Sequence, residues 1–456
     1  LAQDENRTML IYDVAAFVCI CASAMAEIPL PEGDFGRRLH LTPFIEEGQL
    51  QRAKDLARVA PLKGANRPSY SGFLTVNEAT GSNLFFWFFP AAKNSSTAPT
   101  MLLQQGGPGE ASLVGLFTQH GPYKITANNE ARLRNTSWAR QFNTLYIDSP
   151  VGVGFSFTTN TAGYAVSLAE VARDLLEALR QFFTLFSEYS KNDFYIAGQS
   201  FAGKYAAALA YAMHENDTPG VPKLTGLAIG NCLCDPPSML NYADFLLQIG
   251  LVNHYQAINL RITQLLIQLN LAQELYTLAL VDYRELVQRI VTLTQVNGYN
   301  YLQSVTEPQD TSYHVFLNSV QTRRAIHVGN TTYYEDCPYV RNMIGGDQMR
   351  SVKPLMGVLM DNYKVMIFSG QLDISAAYPL MEEFINSIEW RGAEQLARSR
   401  RLIWRNRRTG KLAGYVRQAA RFTEVVVRNS GYKVARDQPG NAYDMIERFV
   451  NDRPFA

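Results

Sequence analysis

The chain has 456 residues, of which 47% are hydrophobic and 11% aromatic, so it can bury one large α/β core with insertions or the cores of two domains. Forty-two basic residues balance 41 acidic ones, and the formal net charge is +1. This balance gives no electrostatic preference for nucleic acid or for an anionic membrane surface.

The first 26 residues are typical of a cleavable secretory signal. Residues 10–26 are mostly apolar and end in small residues, and Arg7 supplies a weak positive flank. A buried N-terminal helix is the alternative. No later run reaches the roughly 18 apolar residues that spanning a bilayer requires. We therefore expect residues 1–26 to be removed, residues 27–456 to be secreted or delivered to a lysosomal or other lumenal compartment, and no membrane anchor to remain.

Cysteine usage and glycosylation sequons agree with that route. Loss of the signal leaves Cys232, Cys234 and Cys337, which allow one disulfide and one odd thiol, and counting does not settle the pairing. Acceptor sequons for N-glycosylation occur at Asn94, Asn135, Asn216 and Asn330.

Short apolar runs of strand length alternate with helical segments along the chain. Apolar residues recur at helical spacing from Leu168 to Phe186, which predicts a crossover helix packed on a sheet. The alternation predicts an α/β fold with a mostly parallel central sheet, helices on both faces and a hydrolase-like or doubly wound order. The predicted strands are residues 85–89, 100–103, 143–147, 193–197, 224–229, 363–368 and 422–427.

Two glycine-containing turns follow predicted strands. The string QGGPG at residues 105–109 offers backbone amides that no side chain shields, as an oxyanion hole requires. Ser200 lies in GQSFAG, between a strand and an alanine-rich helical stretch, which is the context of a nucleophile elbow. Each string alone also fits an ordinary turn. Together they predict Ser200 as nucleophile and the amides of Gly107 and Phe201 as the oxyanion hole.

The second half of the chain supplies an insertion and an acid. Residues 258–293 are leucine-rich and lack proline, so they predict helices within a cap insertion at about residues 235–345, either a lid or an ordinary packed pair. Asp373 follows the strand at residues 363–368. The order of Ser200, Asp373 and then a later base is that of α/β-hydrolases.

Longer strings show which family the chain resembles. Residues 105–121 read QGGPGEASLVGLFTQHG, residues 146–157 read YIDSPVGVGFSF, and residues 198–205 read GQSFAGKY. With residues 229–236, 370–373 and 414–439, they are similar to serine carboxypeptidases of the vitellogenic carboxypeptidase-like branch, from about residue 70 to the C-terminus.

The resemblance implies an α/β-hydrolase fold with a helical cap and the release of C-terminal amino acids from peptides. It implies a ligand-carboxylate site at Gln105, Gly106 and Gln199, and a disulfide between Cys234 and Cys337. The expected partners are peptide or protein C-termini, and no metal or other cofactor is expected. The oligomeric state stays open, a homodimer included.

The resemblance fails at the catalytic base. The family's histidine follows a glycine shortly before Asp-Gln-Pro, and here Tyr432 follows Gly431 in that place, ahead of residues 437–439. A tyrosine with an ordinary pKa near 10 is protonated at neutral pH and cannot take the serine proton as imidazole does.

No other residue replaces the histidine in an obvious way. His120 is the only plausible stand-in, and we expect a structural role for it. Lys433 suggests a Ser-Lys pair, but adjacent side chains on an extended segment point apart, so we expect Lys433 to face away from the site. The remaining histidines are His40, His214, His254, His314 and His327.

Two further departures concern ligand binding. Gln199 stands where the family usually has glutamate, and since a neutral amide donates hydrogen bonds at any pH, we expect carboxylate binding without an acid preference. Glu110 stands where the family commonly has glycine or cysteine, and its charge can repel an acidic ligand.

Three functions remain open. They are an active serine carboxypeptidase, a catalytically silent relative that binds C-termini or serves a structural role, and an acyltransferase on the same scaffold. Loss of a triad histidine costs on the order of 10⁶ in turnover, which places the silent relative first. An arginine-rich run at residues 398–408 is either a processing target or a solvated face.

Overall fold

A computed structural model describes residues 30–306 and 310–455. The predicted signal segment lies outside these residues. The strands are β1 (Tyr70–Asn77), β2 (Ser82–Phe89), β3 (Thr100–Gly106), β4 (Tyr123–Ile125), β5 (Ala131–Leu133), β6 (Asn143–Ile147), β7 (Phe194–Ser200), β8 (Leu224–Gly230), β9 (Val296–Asn297), β10 (Asn300–Ser304), β11 (Lys364–Gly370), β12 (Leu402–Arg405), β13 (Leu412–Ala419) and β14 (Phe422–Val427).

The α-helices of the described residues flank these strands. They are α1 (Thr42–Glu46), α2 (Leu50–Ala57), α3 (Ser112–Thr118), α4 (Leu168–Leu185), α5 (Ala202–Glu215), α6 (Tyr242–Gln248), α7 (His254–Ala272), α8 (Tyr276–Thr294), α9 (Ser312–Asn318), α10 (Val320–Ala325), α11 (Pro338–Met343), α12 (Gly345–Gln348), α13 (Lys353–Asn362), α14 (Tyr378–Ser387), α15 (Ala393–Ala397), α16 (Val434–Asp437) and α17 (Pro439–Val450).

Ten strands form one central sheet in the order β1-β2-β6-β3-β7-β8-β11-β14-β13-β12. The neighbours from β6 to β14 pair in parallel, and the outer strands on both sides pair antiparallel. Every residue of β2, β3, β6 and β7 is buried, as expected for strands covered on both faces. The predicted α/β-hydrolase sheet is confirmed.

The spacing of apolar residues predicted the crossover helix α4, and these residues are buried in the structure. Its residues Val171, Leu175, Leu179 and Phe182 are buried, and the hydroxyl of Ser167 caps its first turn by accepting from the Glu170 amide. This helix lies against β1 and α5, so the apolar stripe joins the core of the sheet.

A helical segment separates β8 from β11 and contains α6 to α13. Within it α7 and α8 pack against each other. Helix α8 contributes Leu280, Tyr283 and Val287 to the wall of the cleft at the carboxyl ends of the central strands, so α8 forms one side of the site.

The predicted disulfide between Cys234 and Cys337 is wrong. The structure joins Cys232 to Cys234, whose Cα atoms are 5.2 Å apart, and Cys337 is a buried free thiol. Asn231, directly after β8, has a φ of 45°, and Cys232 and Cys234 lie two residues apart in the segment that follows. Cys337 is held elsewhere, with its amide donating to the Gly109 carbonyl at 2.9 Å.

Candidate active site

Ser200 occupies a strained turn between β7 and α5. Its φ is 63°, a left-handed conformation that non-glycine residues adopt rarely and that is typical of a nucleophile elbow. The turn requires small neighbours. A Cβ atom on Gly198 would lie 2.2 Å from the Ala202 carbonyl oxygen, and one on Gly203 would lie 2.7 Å from the Ile229 side chain. The glycines of the motif therefore make this backbone path possible.

Ser200 faces a cleft of about 520 Å³ between the sheet and the helical segment. The pairing of β3 with β7 sets Gly106 opposite Ser200, so the glycine loop begins beside the elbow. Gly106, Gly107, Phe201 and Tyr432 all line the same cleft as Ser200. The structure thus brings these predicted site residues together from three separate parts of the chain.

Asp373 lies below the cleft, fully buried after β11. Its carboxylate accepts hydrogen bonds from the Asn231 side-chain amide at 2.7 Å and from the backbone amides of Ser375 at 2.9 Å and Ala376 at 3.1 Å. Burial raises the pKa of Asp373 to about 7, although these hydrogen bonds act in the opposite direction. Asn231 was not anticipated from the sequence as a partner of the acid.

Tyr432 is held beside Ser200 by its neighbours. Its ring stacks on Tyr299 with the centroids 4.6 Å apart, and its amide donates to the Tyr299 carbonyl at 2.6 Å. Burial raises the pKa of the Tyr432 phenol well above its usual range, and Tyr299 adds to this effect. A hydrogen bond with Ser200 lowers the pKa and Asp373 raises it further. The phenol is therefore protonated across the physiological pH range.

The glutamines expected to bind a carboxylate already have partners. The Gln199 amide donates to the Tyr432 backbone carbonyl at 2.5 Å. The Gln105 amide donates to Glu110 at 3.3 Å, and its carbonyl accepts from Gln119 at 3.2 Å. Gln119 lies within the string at residues 105–121, but nothing in the sequence pattern marked its contact with Gln105.

Glu110 and Lys433 lie next to each other at this cleft. The Lys433 ammonium lies 3.7 Å from the Glu110 carboxylate, and both side chains line the cleft with Ser200. The expectation that Lys433 faces away is wrong. The chain leaves its extended path at Lys433, which precedes the first turn of α16, so consecutive side chains no longer alternate between opposite faces.

Comparisons with known proteins agree with this geometry. A model of the serine carboxypeptidase family, Peptidase S10, matches residues 61–452. The chain belongs to the serine carboxypeptidase family. The human Probable serine carboxypeptidase CPVL is 42% identical over 436 residues, which cover 92% of this chain and 91% of that protein. The vitellogenic carboxypeptidase of Aedes aegypti is 35% identical over 442 residues, which cover 93% and 92%.

A solved structure of another carboxypeptidase has the same fold as this chain. The prohormone-processing carboxypeptidase Kex1(delta)p from Saccharomyces cerevisiae superposes with a TM-score of 0.79 and covers 88% of this chain and 96% of its own. The two sequences are 18% identical, so the likeness concerns the fold alone.

The family's hydrolysis needs a group that removes the proton from the serine. Beside Ser200 this member presents a phenol whose pKa is raised, and a protonated phenol does not accept that proton. The described hydrogen bonds of Asp373 run to Asn231 and to two backbone amides. The structure thus places a protonated phenol beside Ser200 and amide donors around Asp373.

The described histidines lie away from the cleft wall that Ser200 shares. No histidine is among the described residues that line the cleft with Ser200. His120 is buried, stacks on Trp138 at 4.7 Å and contacts the Tyr146 hydroxyl at 3.1 Å through Nδ1. Burial lowers the pKa of His120 to about 3. The structural role expected for His120 agrees with these contacts. His314 pairs with Glu335 at the rim of the site.

Within residues 30–306 and 310–455, no cluster of three or more histidine, cysteine or acidic side chains could hold a metal ion, and no helix is long and apolar enough to cross a bilayer. The side chains at the four sequons, Asn94, Asn135, Asn216 and Asn330, are exposed.

Proposed function

We propose that this chain is a secreted or lumenal serine carboxypeptidase-like protein that binds peptide C-termini and has lost most of the family's hydrolytic activity. Tyr432 beside Ser200 is the observation that supports the loss. The buried phenol is protonated where the family reaction needs a proton acceptor.

The size of the expected defect follows from triad energetics. Removing the histidine of a triad costs on the order of 10⁶ in turnover, and the remaining rate comes from binding and the oxyanion hole. We expect peptide hydrolysis by this chain to match that of its Ser200→Ala variant, which has no nucleophile.

Hydrolysis of blocked dipeptides and labelling by a fluorophosphonate probe test the proposal. The unmodified chain should show neither above the Ser200→Ala background. Tyr432→His should gain both, because imidazole can accept the serine proton and donate to Asp373. Robust turnover by the unmodified chain, abolished by Ser200→Ala, would overturn the proposal.

An active serine carboxypeptidase is the second candidate. Ser200 has a strained elbow conformation, Gly107 and Phe201 lie beside it, and Asp373 lies below the cleft. This candidate predicts serine-dependent turnover in the unmodified chain, which the same assay detects.

A further inference from the structure

The cleft beside Ser200 contains a buried ion pair with no counterpart in the expected triad. Glu110 extends from the loop after β3, and Lys433 directly follows Tyr432. Their charged groups are 3.7 Å apart, and the side chains are 20% and 11% exposed. Because a mostly buried pair is screened little by solvent, its two charges are strongly coupled.

The Glu110 carboxylate has the partners that a ligand carboxylate would need. It accepts from the Gln105 amide at 3.3 Å while it faces Lys433. The Gln105 amide makes a charge-assisted hydrogen bond to the carboxylate, and the Lys433 ammonium adds an electrostatic attraction across 3.7 Å. Gln105 is also the residue expected from the sequence to hold a ligand's carboxylate.

Other groups near the site are engaged elsewhere. The Gln199 amide donates to the Tyr432 carbonyl. Arg341 pairs with Asp336, and its Nε also lies 3.4 Å from the Pro108 carbonyl oxygen. Lys433 directly follows Tyr432 and lines the cleft with Ser200, so it is a cation that an incoming carboxylate can meet there.

Placing a ligand's carboxylate beside that of Glu110 costs electrostatic free energy. Burial raises the pKa of Glu110, Lys433 and Gln105 act in the opposite direction, and Glu335 and Asp336 add smaller increases. A second anion beside Glu110 would add like-charge repulsion at short range. A ligand's carboxylate must replace that of Glu110 rather than join it.

We propose that Lys433 receives the C-terminal carboxylate of a bound peptide and that the Glu110 carboxylate occupies this position in the free protein. The inference rests on the proposed binding of peptide C-termini. Glu110 then competes with the ligand for Lys433. The strength of the Glu110–Lys433 ion pair therefore determines the affinity for a free C-terminus.

Fluorescence anisotropy with one labelled peptide, in free-acid and C-terminally amidated forms, tests this proposal. Glu110→Gln should bind the acid form at least about tenfold more tightly, while the amide form changes little. Lys433→Gln should weaken binding of the acid form by at least about tenfold. The pair Lys54 and Glu188, 2.7 Å apart and more exposed, gives the matched controls Lys54→Gln and Glu188→Gln, which should change neither affinity.

A double variant separates the loss of the binding cation from destabilisation of the fold. Lys433→Gln alone leaves Glu110 charged without its cation, so Glu110→Gln combined with Lys433→Gln removes both charges. The double variant should bind the acid and amide peptides with similar affinity. Equal acid-peptide binding by the unmodified chain, Glu110→Gln and the double variant would overturn this inference and leave the proposed function standing. Binding of neither peptide by any variant would overturn the proposed ligand as well.

Discussion

The side-chain amide of Gln199 donates a 2.5 Å hydrogen bond to the backbone carbonyl of Tyr432. This bond joins the strand that ends in Ser200 to the loop that carries Tyr432. The residue before the nucleophile therefore holds Tyr432 in place, and both groups are buried. A buried amide and carbonyl that lose such a bond each incur a desolvation penalty.

The first prediction concerns Gln199→Glu. A carboxylate facing the Tyr432 carbonyl can donate only when it is protonated, so its pKa should rise above the ordinary value near 4.3. A raised folded-state pKa means that stability is retained at low pH and lost as the pH rises through that pKa. We expect about 2 kcal/mol of destabilisation at pH 8 that disappears near pH 4.

Urea unfolding at several pH values measures this effect. Gln268 is exposed on α7, so Gln268→Glu is the matched control and should show no such pH dependence. A pH-independent loss of stability in Gln199→Glu would contradict the assigned hydrogen bond.

The second prediction concerns the pH dependence due to Asp373, whose pKa burial raises to about 7. In the unfolded chain the value is near 3.9, so the folded state holds a proton that the unfolded state has lost between about pH 4 and 7. The folding free energy due to this group therefore becomes less favourable as the pH rises across that window. Each pKa unit corresponds to about 1.4 kcal/mol, so the change should reach several kcal/mol.

Asp373→Asn removes this titration while keeping a planar polar side chain. The stability of the variant relative to the unmodified chain should increase from pH 4 to 7 and level off above. Denaturant midpoints across that range provide the measurement, and parallel curves would show that Asp373 is ionised throughout. Asp437 raises the pKa of Asp373. Asp373 in turn raises the pKa of four tyrosines, which are Tyr242, Tyr283, Tyr299 and Tyr432.

The third prediction tests the close approach of the glycine loop to the elbow. A Cβ atom on Gly106 would lie 2.4 Å from the Ala202 backbone nitrogen, and neither backbone can easily move. We expect Gly106→Ala to cost about 1–3 kcal/mol of stability or more. Gly440 near the start of α17 has nothing within 4 Å of its added Cβ, so Gly440→Ala should be neutral or stabilising. Similar unfolding curves for both variants would contradict the steric argument.

The fourth prediction concerns Lys204, which is fully buried one turn beyond Ser200. Its ammonium donates to the carbonyls of Gln348 at 2.8 Å and Arg350 at 2.6 Å, and thereby ties the segment after α12 to the elbow helix. Lys204→Met leaves these acceptors without a donor, so we expect a loss of roughly 2–4 kcal/mol.

The same variant should also loosen the tied segment. Trypsin should cleave after Arg350 faster in Lys204→Met than in the unmodified chain, because local opening exposes the backbone. Lys191 is exposed, and Lys191→Met serves as the control. Unchanged cleavage at Arg350 would show that other contacts hold the segment.

Several features of this chain were predictable because neighbouring residues encode them. The buried central strands are continuous apolar runs, and α4 shows its apolar stripe at helical spacing. The elbow around Ser200 was predictable since only small residues fit its turn. The outer strands β1, β12 and β13 were not predicted, because β1 and β13 mix polar and apolar residues and β12 is only four residues long.

The sequence by itself determined the central strands, the elbow at Ser200 and the position of Tyr432 before Asp-Gln-Pro. Residues that are neighbours in the sequence specify these features through local sterics, periodicity and motif spacing. Only the tertiary structure decided that Glu110 faces Lys433, that Gln199 holds Tyr432, and that Cys232 rather than Cys337 pairs with Cys234. The first two contacts join segments at the carboxyl ends of different strands, whereas the disulfide closes within the loop after β8. Their distances depend on strand order and loop path, which no local pattern of residues specifies.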